Sequence, residues 1–463
     1  MRPVLTVSEM QAVDRAAQAS TPVEVLIERA GQAVAVAALE MMGGAYGRRV
    51  AVVAGKGNNG ADGRVAAAKL ERRGARVRVV DAGGSDPEGE WDLVIDAAYG
   101  TGFRGEYRAP AIAPGTPVLA VDIPSGVHGD TGEASGAPLR AGRTVTFAAL
   151  KPGLLQGDGA ELAGRVSVAD IGLPVGRPPL QLMEDIDVAR LLPPRRRSDH
   201  KWSSAVLIVA GSPGMTGAAG LCARAALRTG AGMVRLGVPG SDLADSPAPE
   251  AVSVALPGRG WAEAALAAAR RCSAIVVGPG IGRDPETAEQ VRRLVAAADV
   301  PVVIDADGLF ALGVIDDAPP LERRAPVVLT PHDGEYQRLM GSPPGADRFE
   351  AARRLARAAG GVALVKGSTT AVAESSGAAR ASTSGSPRLA TAGTGDVLSG
   401  VIGAMVARGV APLDAAALAA HVHGRAADRG PAQGLVAGDL PVLVSQVLSD
   451  LGRARRAPGG TGG

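Results

Sequence analysis

The chain has 463 residues, enough for two or three domains of about 150 residues each. Hydrophobic residues make up 46% and charged residues 21%, values typical of a globular protein. A net charge of +2 and an aromatic content of 2% argue against a nucleic-acid-binding protein. No apolar run approaches the roughly 20 residues of a transmembrane helix and no apolar signal core is present, so we expect a cytoplasmic protein that does not bind membranes.

Lysine, asparagine and cysteine are unusually rare in this chain. There are five lysines against 44 arginines, so a lysine that is present is a candidate for chemistry that needs a compact ammonium group. The five are Lys56, Lys69, Lys151, Lys201 and Lys366. The two asparagines, Asn58 and Asn59, are adjacent in one glycine-rich loop, although chance remains the alternative explanation. Two cysteines, Cys222 and Cys272, exclude a disulfide framework and suggest core positions.

The first half of the chain begins with two predicted helices, over 8–19 and 22–42. Ser8 with Gln11 and Thr21 with Glu24 have the spacing of capping boxes. From residue 49, short apolar runs alternate with helical stretches, which indicates a parallel sheet covered on both faces. The predicted strands lie in RVAVVA, ARVRVVD, DLVID, PVLAVD, RTVTFAAL and GRVSVADIGLP.

A second α/β series follows a proline-rich break, PVGRPPLQ. Its predicted strands lie in AVLIVAG, AIVVGPG, PVVIDADG, PVVLTPHDG and VALVKG, and its helices include 217–229, 284–297 and 398–408. The sequence therefore predicts two α/β domains in tandem. We expect them over residues 1–175 and 181–455, with a linker over 176–180 and a disordered tail over 456–463.

The glycine-rich loop GKGNNGADG (55–63) follows a predicted strand and opens a helix. Its glycines allow close approach of a ligand, and the free N–H groups of the helix favour an anion. Asn58, Asn59 and Asp62 add oxygens for a hard cation or a ribose. A merely tight connection is the alternative interpretation.

Polar residues also follow three further strands of the first half: Asp96, Asp122 with Ser125, and Lys151. Ligands of open parallel sheets bind at the carboxyl ends of the strands, so these side chains should converge. For any one aspartate, helix capping is an equally good explanation. Three of these side chains could offer oxygens to one monovalent cation, and they are Asn59, Asp96 and Ser125. Asp122 and Lys151 then remain as an acid/base pair.

Taken together, GKGNNGADG, DAAYGTG, VDIPSG and TFAALKPG resemble the amino-terminal domain of the NAD(P)H-hydrate epimerases. The resemblance implies a Rossmann-like domain that interconverts the R and S epimers of hydrated NADH or NADPH, with potassium bound by Asn59, Asp96 and Ser125. Ala61 stands where the family usually has a second glycine. The residues implied to contact the hydrated nucleotide are Asn58, Asn59, Gly60, Ala61, Asp62, Gly100, Thr101, Gly102, Phe103, Arg104, Gly105, Glu106 and Asp122.

In the second half, Asp396 in TAGTGD lies where a helix should start. There it could accept a hydroxyl proton beside a bound phosphate, although an N-cap role is the alternative. Lys366 before Gly-Ser-Thr-Thr can reach phosphate oxygens, and His332 follows a strand end. Asp305 and Asp307 could equally bind a metal or stabilise their loop.

The motifs GSPGMTGAAG, GPGIG, DADGL, TPHDGE, KGSTT and AGTGD resemble, in this order, the carboxy-terminal domain of the ADP/ATP-dependent NAD(P)H-hydrate dehydratases, a branch of the ribokinase-like fold. Trp202 stands where that family more often has glycine, and we expect it to alter the mouth of the site. The residues implied to contact the S hydrate are Ala218, Gly280, His332 and Asp396. Those implied to hold the adenine nucleotide are Lys366, Gly367, Ser368, Thr369, Thr370 and Gly395.

The resemblance implies a bifunctional repair enzyme that epimerises hydrated NAD(P)H and dehydrates the S form at the expense of ADP, giving AMP and phosphate. Catalysis is assigned to Asp122, Lys151 and Asp396. Potassium, ADP or ATP, and magnesium are the expected cofactors and co-substrates, and a homo-oligomer is expected. One rival interpretation is a ribokinase-like small-molecule kinase fused to a ligand-binding domain. Another is that the first domain is a non-catalytic nucleotide sensor.

Overall fold

The computed structural model describes residues 1–84, 86–87, 89–241, 246–316 and 323–453. The disordered tail predicted over 456–463 lies outside these residues. The described chain divides into two compact units, one comprising the described residues from 2 to 180 and the other those from 181 to 453 together with Met1. Both are of mixed α/β type with parallel sheets, which confirms the predicted fold class. No helix of the described chain is long and apolar enough to span a membrane.

The first unit is built on a six-stranded sheet of order β3-β2-β4-β6-β8-β9, parallel throughout. Its strands are β1 (Arg2–Pro3), β2 (Arg49–Ala54), β3 (Arg76–Asp81), β4 (Leu93–Ala97), β5 (Tyr107–Arg108), β6 (Val118–Val121), β7 (Gly136–Ala137), β8 (Arg143–Phe147) and β9 (Arg165–Ala169). Its helices are α1 (Val7–Gln18), α2 (Val23–Met42), α3 (Asn58–Glu71) and α4 (Gly157–Leu162), with a 3₁₀ turn over Pro152–Leu154. Short strands β5 and β7 pair separately.

The two helices predicted at the start of the chain are present, but both predicted capping boxes are wrong. The box of α1 is formed two residues earlier, where the Thr6 side chain accepts from the Glu9 N–H and the Glu9 side chain accepts from the Thr6 N–H. Pro22 is the N-cap of α2 and no side chain caps that helix. The S/T-x-x-E/Q spacing occurs twice at the start of α1, as Thr6 with Glu9 and as Ser8 with Gln11, and tertiary packing decides which copy is used.

The second unit holds the longer sheet, with the order β19-β18-β17-β16-β15-β14-β11-β12-β13. The strands from β17 to β13 in this order are mutually parallel. Strand β18 is antiparallel to both of its neighbours, β17 and β19. The strands are β10 (Leu180–Leu182), β11 (Ala205–Val209), β12 (Met233–Gly237), β13 (Val252–Val254), β14 (Ala274–Val277), β15 (Val302–Ile304), β16 (Val327–Leu329), β17 (Val362–Val365), β18 (Thr370–Glu374) and β19 (Ala379–Ser382).

Alanine-rich helices cover this sheet. They are α5 (Asp185–Leu191), α6 (Gly217–Arg228), α7 (Trp261–Ala269), α8 (Pro285–Ala297), α9 (Asp307–Leu312), α10 (Asp333–Met340), α11 (Arg348–Ala359), α12 (Thr394–Ala407), α13 (Pro412–Arg429) and α14 (Leu440–Arg453), with a 3₁₀ turn over Pro387–Leu389. Small residues let α6 and α12 approach closely, since a Cβ at Gly400 would lie 2.2 Å from the carbonyl O of Cys222. Every residue of β11 is buried, as expected of a strand covered on both faces.

Candidate functional site

The first candidate site is a cavity of about 710 Å³ in the first unit, beyond the carboxyl ends of its strands. The loop after β2 turns directly into α3, and this turn requires glycine, because a Cβ at Gly60 would lie 1.9 Å from the carbonyl O of Gly55. The predicted residues that line the cavity are Asn58, Asn59, Asp62, Gly100, Thr101, Gly102, Phe103, Asp122 and Lys151. Those that do not line it are Gly60, Ala61, Asp96, Arg104, Gly105, Glu106 and Ser125.

Asp122 and Lys151 form a nearly buried ion pair at the base of this cavity. Lys151 Nζ donates to Asp122 Oδ1 at 2.6 Å and to Thr146 Oγ1 at 2.7 Å. Asp122 also accepts from the Thr101 N–H and has a left-handed backbone with φ of 67°, a strained conformation for a non-glycine residue. Burial by itself would raise the pKa of Asp122, but the charge and hydrogen bond of Lys151 outweigh it and hold the pKa below its usual value. Asp122 is therefore a carboxylate with a cation beside it.

Asp96 and Ser125 are in contact with each other and are fully buried. Ser125 donates to Asp96 from its hydroxyl at 2.6 Å and from its N–H at 2.9 Å. Burial raises the pKa of Asp96, and no described lysine or arginine forms an ion pair with it. Asn59 lies close to Gly100, since a Cβ built at Gly100 would be 3.5 Å from Asn59 Oδ1. The Nδ2 atom of Asn59 is buried and has no hydrogen-bond partner among the described atoms. A monovalent cation would offset the buried charge of Asp96.

Asp62 is a strongly perturbed carboxyl group of this cavity. It is 6% exposed, and burial together with the nearby charge of Asp122 raises its pKa to about 8. The side chain of Asp62 is therefore neutral at pH 7, when it can donate a hydrogen bond to a ligand.

The sequence analysis missed the contribution of α1 to this cavity. Met10, Asp14 and Gln18 line it, and burial raises the pKa of Asp14. These three residues lie at i, i+4 and i+8 and so share a helix face, which was the available signal. It did not stand out because polar residues are normal on an amphipathic helix.

The second candidate site lies at the carboxyl ends of β15 and β17 in the second unit. Lys366 Nζ donates to Asp305 Oδ1 at 2.6 Å, and Ser399 Oγ donates to Asp305 Oδ2 at 2.6 Å. Burial by itself would lower the pKa of Lys366, but the charges of Asp305 and Glu335 outweigh it and raise the pKa. Lys366 is therefore a fixed cation, and Asp305 is its buried counter-ion.

Asp396 lies in the first turn of α12, which begins at Thr394, two residues before the start expected at Asp396 and four before the predicted range 398–408. No described residue donates a hydrogen bond to its carboxylate, and Gly393 rather than Asp396 is the N-cap. Burial and the negative charge of Asp305 raise its pKa to about 6, although Lys366 opposes the shift. An unpartnered carboxylate with a pKa near neutrality is suited to accept a proton.

His332 has a capping role in the structure. Its Nδ1 accepts from the N–H groups of Gly334 and Glu335 at the start of α10, and its ring is exposed. Asp333, next along the chain, is paired with Arg348, which also donates to the carbonyl O of Lys366. Arg348, which the sequence analysis did not select, thus joins the starts of α10 and α11 to the loop after β17.

The remaining predicted residues of the second unit fall into two groups. Ala218 and Gly280 are adjacent, since a Cβ at Gly280 would lie 3.1 Å from that of Ala218. Gly395 is next to Lys366, with a Cβ position 3.4 Å from Lys366 Nζ. Of the rest, Gly367, Ser368 and Thr369 follow Lys366 directly in the loop before β18, and Thr370 is the first residue of that strand.

Several other residues have structural partners. Asp307 accepts from Arg283 at 2.6 Å, so both aspartates of DADGL take part in ion pairs. No described group of three or more His, Cys, Asp or Glu side chains is arranged to hold a metal. Trp202 precedes β11 at its amino end and packs against Arg271, so the expectation that it alters the mouth of this site is wrong.

Comparisons with known proteins agree with this division of the chain. The family described as NAD(P)H-hydrate dehydratase matches residues 206–449, and the family described as YjeF-related protein N-terminus matches 23–90 and 82–153. The bifunctional NAD(P)H-hydrate repair enzyme Nnr of Salinibacter ruber is 38% identical over 531 residues, covering 98% of each chain. The enzyme of the same name from Escherichia coli is 33% identical, covering 92% of this chain and 89% of its own.

Solved structures resemble the second unit. An ADP/ATP-dependent NAD(P)H-hydrate dehydratase from Bacillus subtilis, co-crystallised with ATP and Mg²⁺, is 30% identical with a TM-score of 0.50, covering 58% of this chain and 97% of its own. A ribokinase-like superfamily protein from Enterococcus faecalis, 22% identical, has a TM-score of 0.51 over 61% of this chain and 99% of its own. This second similarity supports the ribokinase-like fold. The chain belongs to the family of bifunctional NAD(P)H-hydrate repair enzymes.

Proposed function

We propose that this chain epimerises the R and S forms of hydrated NADH or NADPH in residues 1–175 and dehydrates the S form to NAD(P)H in residues 181–455. The observation that carries the proposal is the unpartnered carboxylate of Asp396, with a pKa of about 6, beside the Asp305–Lys366 ion pair. Such a pair of a free base and a fixed cation suits the phosphorylation of a hydroxyl group. The names of the full-length relatives support the substrate.

In the dehydratase, Asp396 takes the proton of the ring hydroxyl of the hydrate as the hydroxyl oxygen attacks the terminal phosphorus of ADP. The bond between that phosphorus and the bridging oxygen breaks, and AMP leaves. Phosphate then leaves with the electrons of its bond to the ring carbon while the adjacent ring carbon loses a proton to water, which restores the dihydronicotinamide. Phosphate is a far better leaving group than hydroxide, which is why the nucleotide is needed.

Lys366 and the loop that follows it would hold the phosphates of the nucleotide. Its Nζ is fixed by Asp305, so its position costs little additional ordering when a nucleotide binds. Gly395 leaves this ammonium accessible, because a side chain there would crowd it. Ala218, Gly280 and His332 would contact the hydrate. ADP is the proposed donor, with ATP as the alternative, and Mg²⁺ would be held largely by the phosphates.

In the epimerase, Asp122 and Lys151 are the proposed acid/base pair, because they are the charged groups in contact at the base of the cavity. Asp96, Ser125 and Asn59 would hold potassium, which fits the buried, cation-free carboxylate of Asp96. The ion would neutralise that carboxylate and stabilise the turn containing Gly100. Asn58, Asp62 and the loop 100–106 would bind the nucleotide.

The function is tested by incubating the full chain with mixed-epimer hydrated NADH and ADP, ATP or no nucleotide. Recovery of the near-ultraviolet absorbance of reduced nicotinamide is followed. We expect recovery only with a nucleotide, and the nucleotide that supports it is the phosphate donor. An Asp122→Asn variant should slow the second half of the recovery, which depends on epimerisation. Absence of recovery with both nucleotides, with phosphorylation of a stable alcohol instead, would favour a small-molecule kinase.

We further propose that the protein is a cytoplasmic homo-oligomer without nucleic-acid or membrane partners. The near-balanced charge of +2 supports the absence of a nucleic-acid partner. Light scattering of the purified chain tests the oligomeric state, and cell fractionation tests the location.

A further inference from the structure

A second cavity in the C-terminal unit lies at the edge of the sheet where the strands begin. Its volume is about 500 Å³. Lys201 precedes β11, Gly232 precedes β12 and Arg408 follows the last residue of α12, and all three line the cavity. Asp396 is in the first turn of the same helix, and a helix of 14 residues is about 21 Å long. The cavity is therefore distinct from the proposed nucleotide site at the other edge of the sheet.

The charge of this cavity is strongly positive. Four basic side chains line it, from Arg195, Arg196, Lys201 and Arg408, against one carboxylate, from Asp199. No described carboxylate forms an ion pair with any of the four, whereas Arg348, Lys366 and Arg380 elsewhere in this unit each have such a partner. The Asp199 carboxylate accepts from the Arg196 backbone N–H at 2.8 Å, so it stabilises the turn of the loop.

Helix capping accounts for two of the four basic groups. Arg408 donates to the carbonyl oxygens of Thr229 at 3.0 Å and Pro193 at 2.6 Å, and Arg195 donates to that of Gly230 at 3.0 Å. The contacts to Thr229 and Gly230 lie at the carboxyl end of α6, where a cation is favourable. Burial and the neighbouring Arg195 lower the pKa of Arg408, which reflects a local excess of positive charge.

Capping does not account for Lys201 and Arg196. Neither side chain has a hydrogen bond or an ion pair with another described residue, and both line the cavity. Lys201 is also one of only five lysines in a chain with 44 arginines. The loop that carries them is ordered by its own hydrogen bonds, since the His200 N–H donates to Ser203 Oγ and the Trp202 N–H donates to His200 Nδ1. The backbone beside the two free cations is thus ordered, while their side chains remain available to a ligand of an already positive cavity.

We infer that this cavity binds a small phosphate-bearing anion, with Lys201 and Arg196 as its ligands and with Arg195 and Arg408 supplying a fixed positive field. Four basic side chains against one carboxylate on a concave surface attract an anion, and they become more stable when it is bound. The volume of about 500 Å³ suits a small molecule. Arg408 directly follows α12, so the bound anion would contact the end of the helix that begins beside the proposed catalytic aspartate.

The scarcity of lysine permits a local test on the full chain. Lys201 is exposed, and its rate of modification by an amine-reactive reagent can be read by mass spectrometry, with Lys69, ion-paired to Glu28, as an internal reference. Sodium pyrophosphate is added at constant ionic strength, because general screening by salt would otherwise mimic protection. We expect pyrophosphate to protect Lys201 and to leave Lys69 unchanged. Orthophosphate and AMP, tested in parallel, show whether the phosphate alone or a larger ligand is recognised.

Two matched variants decide the assignment. Arg196→Gln should raise the pyrophosphate concentration for half-protection about tenfold. Arg324→Gln removes one exposed arginine near the start of β16, at the same edge of the sheet. This variant should change the pyrophosphate concentration for half-protection less than twofold. Unchanged modification of Lys201 at millimolar pyrophosphate, or equal effects of the two variants, would overturn the proposal. Neither result bears on repair activity, so failure here is distinguishable from failure of the proposed function.

Discussion

Lys366 and Asp305 form a 2.6 Å ion pair across 61 positions of the chain, with Asp305 1% exposed. The pair leaves Asp396 as the carboxylate of the site that has no partner among the described residues. Because the charges of Lys366 and Asp305 neutralise each other, the carboxylate of Asp396 is available to exchange a proton. This division of roles is the basis of the first two predictions.

Lys366→Met should leave Asp305 buried without a cation. We expect the free energy of unfolding to fall by about 3 kcal/mol, since breaking a buried pair exposes the cost of the remaining charge. A Lys366→Met/Asp305→Asn double variant should recover most of this loss but should not bind ADP. Denaturant unfolding and calorimetric ADP binding measure the two effects. A double variant as unstable as the single one would show that Asp305 does not need Lys366 as its counter-ion.

Asp396→Asn should lower the dehydration rate by about 10²- to 10⁴-fold, because the proton acceptor is lost. It should also stabilise the fold at pH 8. The raised pKa means that folding favours the protonated carboxyl, so the wild-type protein loses stability as the pH rises from 4 through about 6. The gain should be about 1 to 2 kcal/mol, because screening at this partly exposed site reduces the full effect of the shift.

The control for Asp396→Asn is Glu350→Gln, which removes an exposed carboxylate on α11. This control should change neither the dehydration rate nor the free energy of unfolding at pH 8. ADP binding by Asp396→Asn should stay close to that of the wild type. Near-normal turnover by Asp396→Asn would remove this residue from the mechanism.

Asp62→Asn should preserve epimerisation at pH 7 and alter its pH dependence. With a pKa of about 8 the wild-type carboxyl is protonated at pH 7 and becomes charged as the pH rises through 8. We therefore expect the wild-type KM to rise above pH 8 and the KM of the variant to stay flat, since an amide donates at every pH. Chromatographic measurement of the epimer ratio from pH 6.5 to 9 checks this. Asp92→Asn serves as a control, because hydrogen bonds from Arg49 and Arg48 lower the pKa of Asp92 and keep it ionised throughout.

Replacing potassium with tetramethylammonium should slow epimerisation and leave nucleotide-dependent dehydration unchanged. The reason is that Asp96 is fully buried and has no basic partner in the described chain, so a bound cation is needed to offset its charge. Ser125→Ala, which removes a hydroxyl 2.6 Å from Asp96, should increase the potassium concentration needed for half-maximal rate. Equal epimerisation rates with both cations would reject the cation assignment.

Gly60→Ala should abolish epimerisation, whereas Gly57→Ala in the same loop should not. The added Cβ would lie 1.9 Å from the Gly55 carbonyl O in the first case and would meet nothing within 4 Å in the second. Dehydration, measured on the same samples, should be retained by both variants. Full activity of Gly60→Ala would mean that the turn between β2 and α3 is less constrained than its geometry indicates.

The strands and the residues at their ends could be predicted because both depend on short stretches of sequence. Runs such as AVLIVAG are apolar on both faces, and polar residues can follow only where such a strand leaves the core. Helix starts were predicted less well. The start of α12 was placed at Asp396 and lies at Thr394, and the box of α1 uses Thr6 rather than Ser8. Several residues near each start can cap equally well, and the surrounding packing selects one.

The amino-acid sequence by itself determined that two α/β units follow each other and that loops rich in glycine and acidic residues follow their strands. It could do so because hydrophobic periodicity and motif order are local properties. Only the tertiary structure decided which charges meet. It placed Asp305 against Lys366, added Asp14 to the first cavity, and placed Lys201 at the opposite edge of the sheet from Lys366 and Asp396. Partners far apart in the chain are chosen by the packing of whole strands and helices, which no short stretch of sequence contains.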